Sequence, residues 1–263
     1  MKKIFSMLMC MVLLFTGIML GSCGKKDNVL VVATNAEFPP WEDLDSNQNV
    51  IGADADIIKL IAEELNKTVE FRNMDFEGVI GSVQSGACDV AISGLTINDK
   101  RKESVDFSIP YYETSQILIT KSDDTIFTGT TKEELDSQLE GKKIGVCTGF
   151  TGEYYAKGDE DWGFAGIKDA TVTAYDNISL AIVELKNGSI DVIIMDDTVA
   201  KNVVKSSDDA KIIDVALNTE SYGIAIPKGD TELKEKMDAA IEKIRDNGKL
   251  HEIFDTWKID YIK

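Results

Sequence analysis

The stretch DVAISGLTINDKRKESVDF, residues 89–107, decides the fold and points to the chemistry. It begins with an apolar run typical of a buried strand, and Asn98 then opens the pattern of a helix N-cap and first turn. The same stretch carries the hydroxyls of Ser93 and Thr96 and the guanidinium of Arg101. Arg pairs bidentately with carboxylates, and N–H groups at a helix start attract negative charge. A small carboxylate ligand therefore fits, although a surface turn with a solvent ion pair would have the same residues.

A second stretch repeats this pattern later in the chain. Residues 85–94, SGACDVAISG, align in register with residues 187–196, NGSIDVIIMD. Each copy is a helix end with glycine at the C′ position, an aspartate and an apolar strand. Ligands of open α/β sheets bind outside the carboxyl ends of strands. Two facing lobes would set Arg101 and Ser93 opposite Asp196, which is the complement of a zwitterion; convergence of two helix–strand units is the alternative.

Strands and helices alternate along much of the chain, which is typical of α/β proteins with parallel sheets. A strand is predicted over 29–33 and a helix over 57–65, and a polar stretch over 122–140 is predicted to become helical toward its end. Extended segments around 111–120 and 221–227 interrupt the alternation. The predicted fold class is therefore α/β.

The N-terminus has the features of a targeting segment. Lys2 and Lys3 precede an apolar run over 4–20, and Leu-Gly-Ser lead into Cys23. This pattern resembles a bacterial lipoprotein signal peptide over 1–22, after which Cys23 carries the lipid and begins the mature protein. An uncleaved membrane anchor is the alternative, since the apolar run is at the lower limit for a span. Both interpretations place the rest of the chain outside the cytoplasm, tethered to a membrane.

The charge excludes several partners. The chain carries a net charge of −18, and removal of Lys2 and Lys3 with the signal, which contains no acid, makes it −20. Nucleic-acid binders have basic faces, and anionic lipid surfaces attract basic segments. We therefore predict no nucleic-acid partner and membrane contact only through the lipid.

Cysteine and histidine are too sparse for most catalytic or metal sites. Without Cys10 and Cys23 the chain keeps Cys88 and Cys147, which lie at two different strands and are predicted to be free thiols. His251 is the single histidine. Zinc sites and nucleophilic triads have little material here. The sequence thus predicts no metal, no cofactor and no catalytic residues.

An ordered set of motifs over residues 29–258 resembles the polar amino-acid solute-binding proteins of ABC importers, family 3. The motifs are Phe38-Pro39-Pro40-Trp41-Glu42, Gly52-x-Asp54-x-Asp56, Asp75-Phe76, Ser93-Gly94-Leu95-Thr96-Ile97 with Arg101-Lys102, Val105-Asp106-Phe107-Ser108 and Tyr222-Gly223-Ile224-Ala225. The resemblance implies a two-lobe periplasmic-binding-protein fold in which each lobe is a mostly parallel sheet flanked by helices. After the lipidated N-terminus and linker at 23–28, it implies lobe 1 at 29–110 and 223–263, lobe 2 at 116–217, and a hinge of two crossing strands at 111–115 and 218–222.

The resemblance also implies roles for the residues that match the family motifs. Arg101, with Ser93 and Thr96, would hold the α-carboxylate of an amino acid, and Thr151 would reach it from lobe 2. Gly94 would offer backbone contacts to the α-amino group, and Asp196 would bind that group as a carboxylate.

The side chain of the ligand would lie between aromatic rings. By resemblance Phe38 and Phe76 would sandwich its aliphatic part, with Trp41 near the rim. The remaining lining residues are expected to be neutral: Asn35, Cys147, Phe150 and Met195. A buried ammonium or guanidinium would lack a partner there, which favours a neutral ligand, polar or sulfur-containing. Tight binding of arginine or lysine would overturn that preference.

The implied function is a receptor that closes about its hinge on an amino acid and delivers it to a membrane permease with a cytoplasmic ATPase. Two alternatives stay open. One is an enzyme on the same fold, such as a dehydratase acting on a small carboxylate, which needs a positioned acid or base. The other is a ligand-sensing subunit of a receptor. Turnover of the ligand would identify the first, and a neighbouring receptor gene the second.

Overall fold

The computed structural model of the protein describes residues 28–260. The predicted signal peptide and Cys23 lie outside the described residues. The first elements are β1 (Val29–Thr34), β2 (Asp43–Leu44), β3 (Val50–Ile51), α1 (Ala53–Glu64), β4 (Thr68–Asn73), α2 (Phe76–Gln84), β5 (Val90–Ala91), α3 (Asp99–Lys102) and β6 (Val105–Phe107). The next are β7 (Tyr112–Thr114), β8 (Gln116–Lys121), α4 (Lys132–Leu139), β9 (Lys143–Cys147), α5 (Thr151–Lys157), a 3-10 turn (Glu160–Trp162), β10 (Thr171–Tyr175), α6 (Ile178–Asn187), β11 (Val192–Asp196), α7 (Asp197–Val204) and β12 (Ala210–Ile213). The last are β13 (Glu220–Tyr222), β14 (Ala225–Pro227), α8 (Thr231–Asp246) and α9 (Lys249–Trp257).

Two five-stranded sheets form the two lobes, which confirms the α/β two-lobe fold. The sheet of lobe 1 has the order β4-β1-β5-β14-β6, and the sheet of lobe 2 has the order β10-β9-β11-β8-β12. In each sheet the first three strands pair in parallel, and the last two pairings are antiparallel. The sheets are therefore mixed. In each sheet one strand, β14 in lobe 1 and β8 in lobe 2, runs antiparallel to both of its neighbours, and each of these strands follows a segment of the predicted hinge. The exact lobe and hinge boundaries stay predictions.

The sequence repeat of residues 85–94 and 187–196 is also a repeat of structure. Its two strands, β5 and β11, are each the central strand of their sheet. Asp89 accepts a hydrogen bond from the Val31 N–H at 2.8 Å, and Asp191 accepts one from the Lys143 N–H at 2.9 Å. Each aspartate thus ties the start of the central strand to the neighbouring parallel strand. Two equivalent helix–strand units bring the carboxyl ends of β5 and β11 to the face between the lobes.

Local chemistry sets the helix starts. The Asn98 side chain accepts from the Arg101 N–H at 2.7 Å, which confirms the predicted cap of the helix that carries Arg101. Thr131 caps α4 in the same way, so the polar stretch is helical only from Lys132. Helix α1 begins at Ala53, earlier than the apolar periodicity predicts, because Gly52 adopts a left-handed φ of 126° that ends the preceding loop.

A small aromatic cluster lies where the lobes meet the hinge. Strands β7 and β13 pair antiparallel, with Thr114 opposite Glu220. The fully buried Trp41 packs 4.7 Å from the ring of Tyr112 and 5.2 Å from that of Tyr222. The expectation that Trp41 lies near the rim of the cleft is wrong, because this indole is part of the core beneath the hinge.

Cys88 and Cys147 are both free thiols, as predicted, and both are buried. Between residues 28 and 260, no helix has the length and apolar character needed to cross a membrane.

Candidate functional site

A small cavity between the lobes collects most of the predicted ligand-binding residues. Its lining consists of Phe38, Phe76, Ser93, Gly94, Thr96, Arg101, Phe150, Thr151 and Asp196. Lobe 1 contributes the first six and lobe 2 the last three. A wider groove of about 610 Å³ lies beside Lys132 and Tyr155 of lobe 2. The polar side chains of that groove pair with one another through Asp136, whereas the small cavity carries opposed charges from the two lobes.

Arg101 provides the positive charge of the cavity. Its Nη1 donates to the Thr96 carbonyl at 2.9 Å, and its Nη2 lies 3.4 Å from the Gly149 carbonyl of lobe 2. The residue as a whole is only half-buried, but desolvation of the guanidinium lowers its pKa to about 10. It therefore stays charged at neutral pH, with N–H groups left for an anion.

Two buried carboxyl groups fix the turn after β5. Glu42 accepts from the Ser93 hydroxyl at 3.0 Å, and Asp54 accepts from the Gly94 N–H at 2.8 Å. Burial raises the pKa of Asp54 to about 6, and burial followed by the charge of Asp54 raises the pKa of Glu42 well above its usual range. The Gly94 N–H thus binds Asp54, and a ligand ammonium group, which only donates, would pair with the Gly94 carbonyl. Both acids thus lie behind the cavity and bind the turn that lines it. The sequence motifs that contain Glu42 and Asp54 did not predict this role.

Asp196 provides the negative charge from lobe 2. It ends the central strand β11, and its carboxylate accepts from the Tyr222 hydroxyl and from the Gln116 amide at 2.8 Å. Burial and then the charge of Glu220 raise the pKa of Asp196 to about 7. A cation bound beside it would favour the charged form.

Glu220 is a buried carboxylate that sequence reasoning missed. One of its oxygens accepts from the Thr96 hydroxyl at 2.6 Å and from the Thr151 hydroxyl at 2.7 Å. The other accepts from Gln116 at 2.9 Å and Asn218 at 2.8 Å. Since each threonine has one hydroxyl proton, both are directed to Glu220, and their lone pairs remain to accept from a ligand. The two hydroxyl oxygens are thus arranged to accept from a ligand donor, and the expected contacts of Thr96 and Thr151 with the ligand carboxylate stay predictions.

Glu220 could have been found only from its position. It lies two residues before Tyr222 in the motif Tyr222-Gly223-Ile224-Ala225, inside the predicted hinge. From the sequence alone, an acid at that place is interpreted as an exposed hinge residue. The two threonines that donate to it are far away in sequence, so no local pattern indicates the contact. Only the pairing of β13 with β7 brings it under the cavity.

Aromatic rings close the side-chain end of the cavity. The ring of Phe150 lies 5.0 Å from that of Phe38 and 4.2 Å from that of Phe76, both edge-on. The space enclosed is about 10 Å³, about enough for one water molecule. Entry of an amino acid therefore requires the lobes to separate or Phe150 to turn away.

Three predicted contacts lie away from the cavity lining. The Asn35 amide donates to the Met74 carbonyl at 3.0 Å, and this residue is buried in lobe 1. Cys147 and Met195 are each only 1% exposed and pack in the core near the ends of strands β9 and β11. Burial also raises the pKa of the Cys147 thiol.

Comparisons with known proteins extend the resemblance to nearly the whole described chain. Residues 30–260 match the family described as bacterial extracellular solute-binding proteins, family 3. A probable histidine-binding protein of Neisseria gonorrhoeae is 34% identical over 227 residues, which cover 85% of this chain and 80% of the relative.

Solved structures of this kind are similar in fold as well. An ancestral arginine-binding protein bound to glutamine has a TM-score of 0.77 and 38% identity, covering 90% of this chain and all of that one. An ancestral amino-acid-binding protein, a precursor of cyclohexadienyl dehydratase, has a TM-score of 0.75 and 29% identity, covering 88% and 95%. The match to the family runs through both lobes and the hinge, and the chain therefore belongs to the family 3 bacterial extracellular solute-binding proteins.

Proposed function

We propose that the protein is a lipid-anchored extracytoplasmic receptor that binds an L-amino acid between its lobes and delivers it to the permease of an ABC importer. The observation that carries the proposal is the pair of opposed charges in one cavity, Arg101 from lobe 1 and Asp196 from lobe 2. A zwitterion placed between them leaves neither buried charge unpaired. The names of the relatives, which describe binding of amino acids, support the same class of ligand.

The ligand is held by its α-carbon groups. The α-carboxylate pairs with the free N–H groups of Arg101, and the ammonium donates to Asp196 and to the oxygens of Thr96, Thr151 and the Gly94 carbonyl. These contacts come from both lobes, so the ligand favours the closed form over the open one. Such differential contact is the condition for a ligand-driven closure.

The class of ligand side chain is a separate question. The preference for a neutral side chain depended on Asn35, Cys147 and Met195, which lie off the cavity lining. The residues that do line that end are aromatic, and aromatic faces accept both aliphatic and cationic groups. We therefore propose an L-amino acid as the ligand, and thermal unfolding with a panel of amino acids identifies its side chain.

Delivery and anchoring are supported by the family and by the N-terminal pattern. Family members are described as extracellular, and Cys23 follows an apolar segment with a basic start. A lipid at Cys23 keeps the receptor near the permease and raises its effective concentration there. Fatty-acid labelling in cells that is lost in Cys23→Ser, with release of the protein from membranes, is the expected result; unchanged labelling would contradict it.

The binding proposal is tested by thermal unfolding of the purified protein, refolded to remove carried ligand, against all proteinogenic amino acids, cystine and ornithine. A ligand that binds only the folded state adds about 2.7 kcal/mol of stability at a hundredfold excess over Kd. We expect one or a few L-amino acids to raise Tm in the wild type and not in Arg101→Ala or Asp196→Asn. No shift with any amino acid would overturn the proposal.

An enzyme on this fold is the second candidate, favoured by the similarity to the dehydratase precursor and by the raised pKa of Asp196. An acid with a pKa near 7 is suited to proton transfer. Incubation of the protein with each ligand that shifts Tm, followed by mass spectrometry, distinguishes the two. Ligands recovered unchanged support the receptor, and a product lost in Asp196→Asn supports the enzyme.

A further inference from the structure

A short turn of lobe 2 reaches across the cleft to Arg101. This turn, Glu160–Trp162, places the Trp162 ring 5.0 Å from the Arg101 guanidinium carbon. The Phe76 ring of lobe 1 lies 5.4 Å from the same carbon. The guanidinium is thus within cation–π range of two aromatic rings, one from each lobe. We call Glu160–Trp162 the Trp162 turn.

A second contact from the same turn reaches the residue beside Arg101. Asp161 forms an ion pair with Lys100 at 2.8 Å, and their side chains are 64% and 44% exposed. An exposed pair of this kind contributes little to stability on its own. Its position matters more, because it holds the Trp162 turn against the helix that carries Arg101.

The turn is presented rigidly by its own loop. The Asp159 side chain accepts from the Trp162 N–H at 3.2 Å, and the Trp162 ring stacks on Tyr154 with centroids 4.0 Å apart. At the base of the loop, a Cβ on Gly158 would lie 2.8 Å from the Ala165 carbonyl oxygen, so the two arms are in close backbone contact. The loop therefore projects Trp162 from a closed base toward lobe 1.

We propose that Trp162 is a positioning residue for the ligand carboxylate and that the Trp162 turn is a latch over Arg101. This inference deepens the proposed function and rests on it. Trp162 covers one side of the guanidinium and restricts its orientation, while Phe76 lies near it from lobe 1. The donors of Arg101 are then held toward the cavity, where a carboxylate can be paired bidentately.

The latch exists only when the lobes are together, since its two halves come from different lobes. It therefore stabilises the closed form and has no counterpart in the open one. Contacts made only in the bound, closed state act on the dissociation rate more than on the association rate. The latch is thus expected to set how long an amino acid stays bound.

The test measures ligand association and dissociation by stopped flow for the wild type, Trp162→Ala and Trp162→Phe, using the amino acid found in the thermal panel. We expect Trp162→Ala to release the ligand about tenfold faster with little change in association, and Trp162→Phe to lie between it and the wild type. Trp257→Ala is the matched control, because Trp257 is bonded to Asp56 of lobe 1, away from the cleft, and its loss is expected to leave release unchanged. Equal release by the wild type and Trp162→Ala would overturn the latch.

A second readout separates positioning from simple closure. The same variants are measured with the amino acid and with its α-carboxamide, which cannot pair with Arg101 as an anion. If Trp162 orients Arg101, Trp162→Ala loses more affinity for the acid than for the amide, and the preference for the acid falls. Equal losses for both ligands would overturn the positioning role.

The proposal can fail independently of the amino-acid function. If the wild type bound no amino acid, the proposed function would fail. The latch would then be tested in the ligand-free protein by measuring the distance between spin labels at Glu63→Cys and Ser137→Cys. These are exposed positions on lobes 1 and 2. A wider distribution of lobe distances in Trp162→Ala and in Asp161→Asn supports the latch. Identical distributions in all three proteins would overturn it.

Discussion

The Asp196 carboxyl group accepts hydrogen bonds from Tyr222 and Gln116 and also titrates near neutral pH. Burial and the nearby Glu220 raise its pKa to about 7 in the free cavity, and a bound ammonium would stabilise its charged form. Below pH 7 binding must then displace a proton. We expect Kd to rise by up to about tenfold for each pH unit below about 7 and to be level above it.

Titration calorimetry from about pH 5.5 to about pH 8.5, a range that brackets the raised pKa, measures this dependence. Asp196→Asn is the matched variant, since it keeps the shape of the side chain and removes the titration, and we expect weak binding with a flat pH profile. A wild-type Kd that does not change over this range would contradict the assignment.

The acids behind the site predict a second pH effect, on stability. Burial raises the pKa of Asp54 to about 6 and that of Glu42 well above its usual range, while both are near about 4 in an unfolded chain. The folded state then binds protons more tightly, so the stability they contribute is full below about pH 4. The contribution of Asp54 is lost as pH rises through about 6, and that of Glu42 as pH rises through its own raised pKa. Each pKa unit corresponds to about 1.4 kcal/mol.

We therefore expect the ligand-free protein to have a higher Tm at about pH 5.5 than at about pH 8, measured by calorimetry. Glu42→Gln keeps a hydrogen-bonding partner for Ser93 and removes one titrating group, so its Tm should depend less on pH. A wild-type Tm that falls steadily on acidification across the same range would contradict this account of the pair.

At the scale of elements, one glycine decides how α1 begins. Gly52 has a left-handed φ of 126°, and a Cβ there would lie 2.0 Å from the Trp41 carbonyl oxygen. Gly52→Ala must shift the loop that carries Trp41 and Glu42, and we expect a loss of at least about 2 kcal/mol. Gly81 inside α2 is the control, because a Cβ added there would have no atom within 4 Å beyond the nearby backbone of its own helix. Gly81→Ala should gain about 0.5–1 kcal/mol. Urea unfolding of both variants measures the difference; similar free energies of unfolding would contradict the argument.

The sequence predicts elements well where a local signal exists. Asn98, the glycine-aspartate pattern before β5 and β11, and the apolar run of β1 are all local, and the structure has the cap and the strands they indicate. The start of α1 was missed because polar Asp54 and Asp56 hide the helical period.

The site is predicted less completely, because some of its residues are specified only by tertiary contact. Nine of the residues expected at the site line the cavity, and the six from lobe 1 all lie in the quoted sequence motifs. Asn35, Cys147 and Met195 do not: the Asn35 amide binds the Met74 carbonyl, and Cys147 and Met195 pack in the core, contacts made with distant parts of the chain. Glu220 had no local signal, because its partners Thr96 and Thr151 come from the two lobes.

At the scale of the whole molecule, the enclosed space of about 10 Å³ is too small for an amino acid, and we expect the lobes to separate during ligand exchange. Lys100 and Asp161 face each other across the cleft at 2.8 Å. Cysteines at both positions, joined by a short bismaleimide after loading with ligand, should hold the lobes closed. We expect bound radiolabelled amino acid to exchange at least about tenfold more slowly than in the unlinked double variant, an effect of about 1.4 kcal/mol on the barrier.

The native thiols do not interfere with this experiment within the described chain, because Cys88 and Cys147 are buried. Variants with one new cysteine also lose the Lys100–Asp161 ion pair, so after treatment with the same reagent they should exchange ligand as fast as the unlinked double variant. Rapid exchange in the doubly linked protein would mean that the ligand enters without separation of the lobes.

The strand order of lobe 1 also bears on how the chain is made. Strand β14 lies between β5 and β6, yet it is synthesised only after every strand of lobe 2. On the ribosome, lobe 2 is an unbroken segment that can fold as soon as it emerges, whereas the sheet of lobe 1 waits with two unpaired edges near its middle. The nascent chain is therefore most exposed to misassociation and chaperone capture in lobe 1. The ligand cavity, which draws on both lobes, is complete only after the chain of lobe 2 has been made and packed against lobe 1.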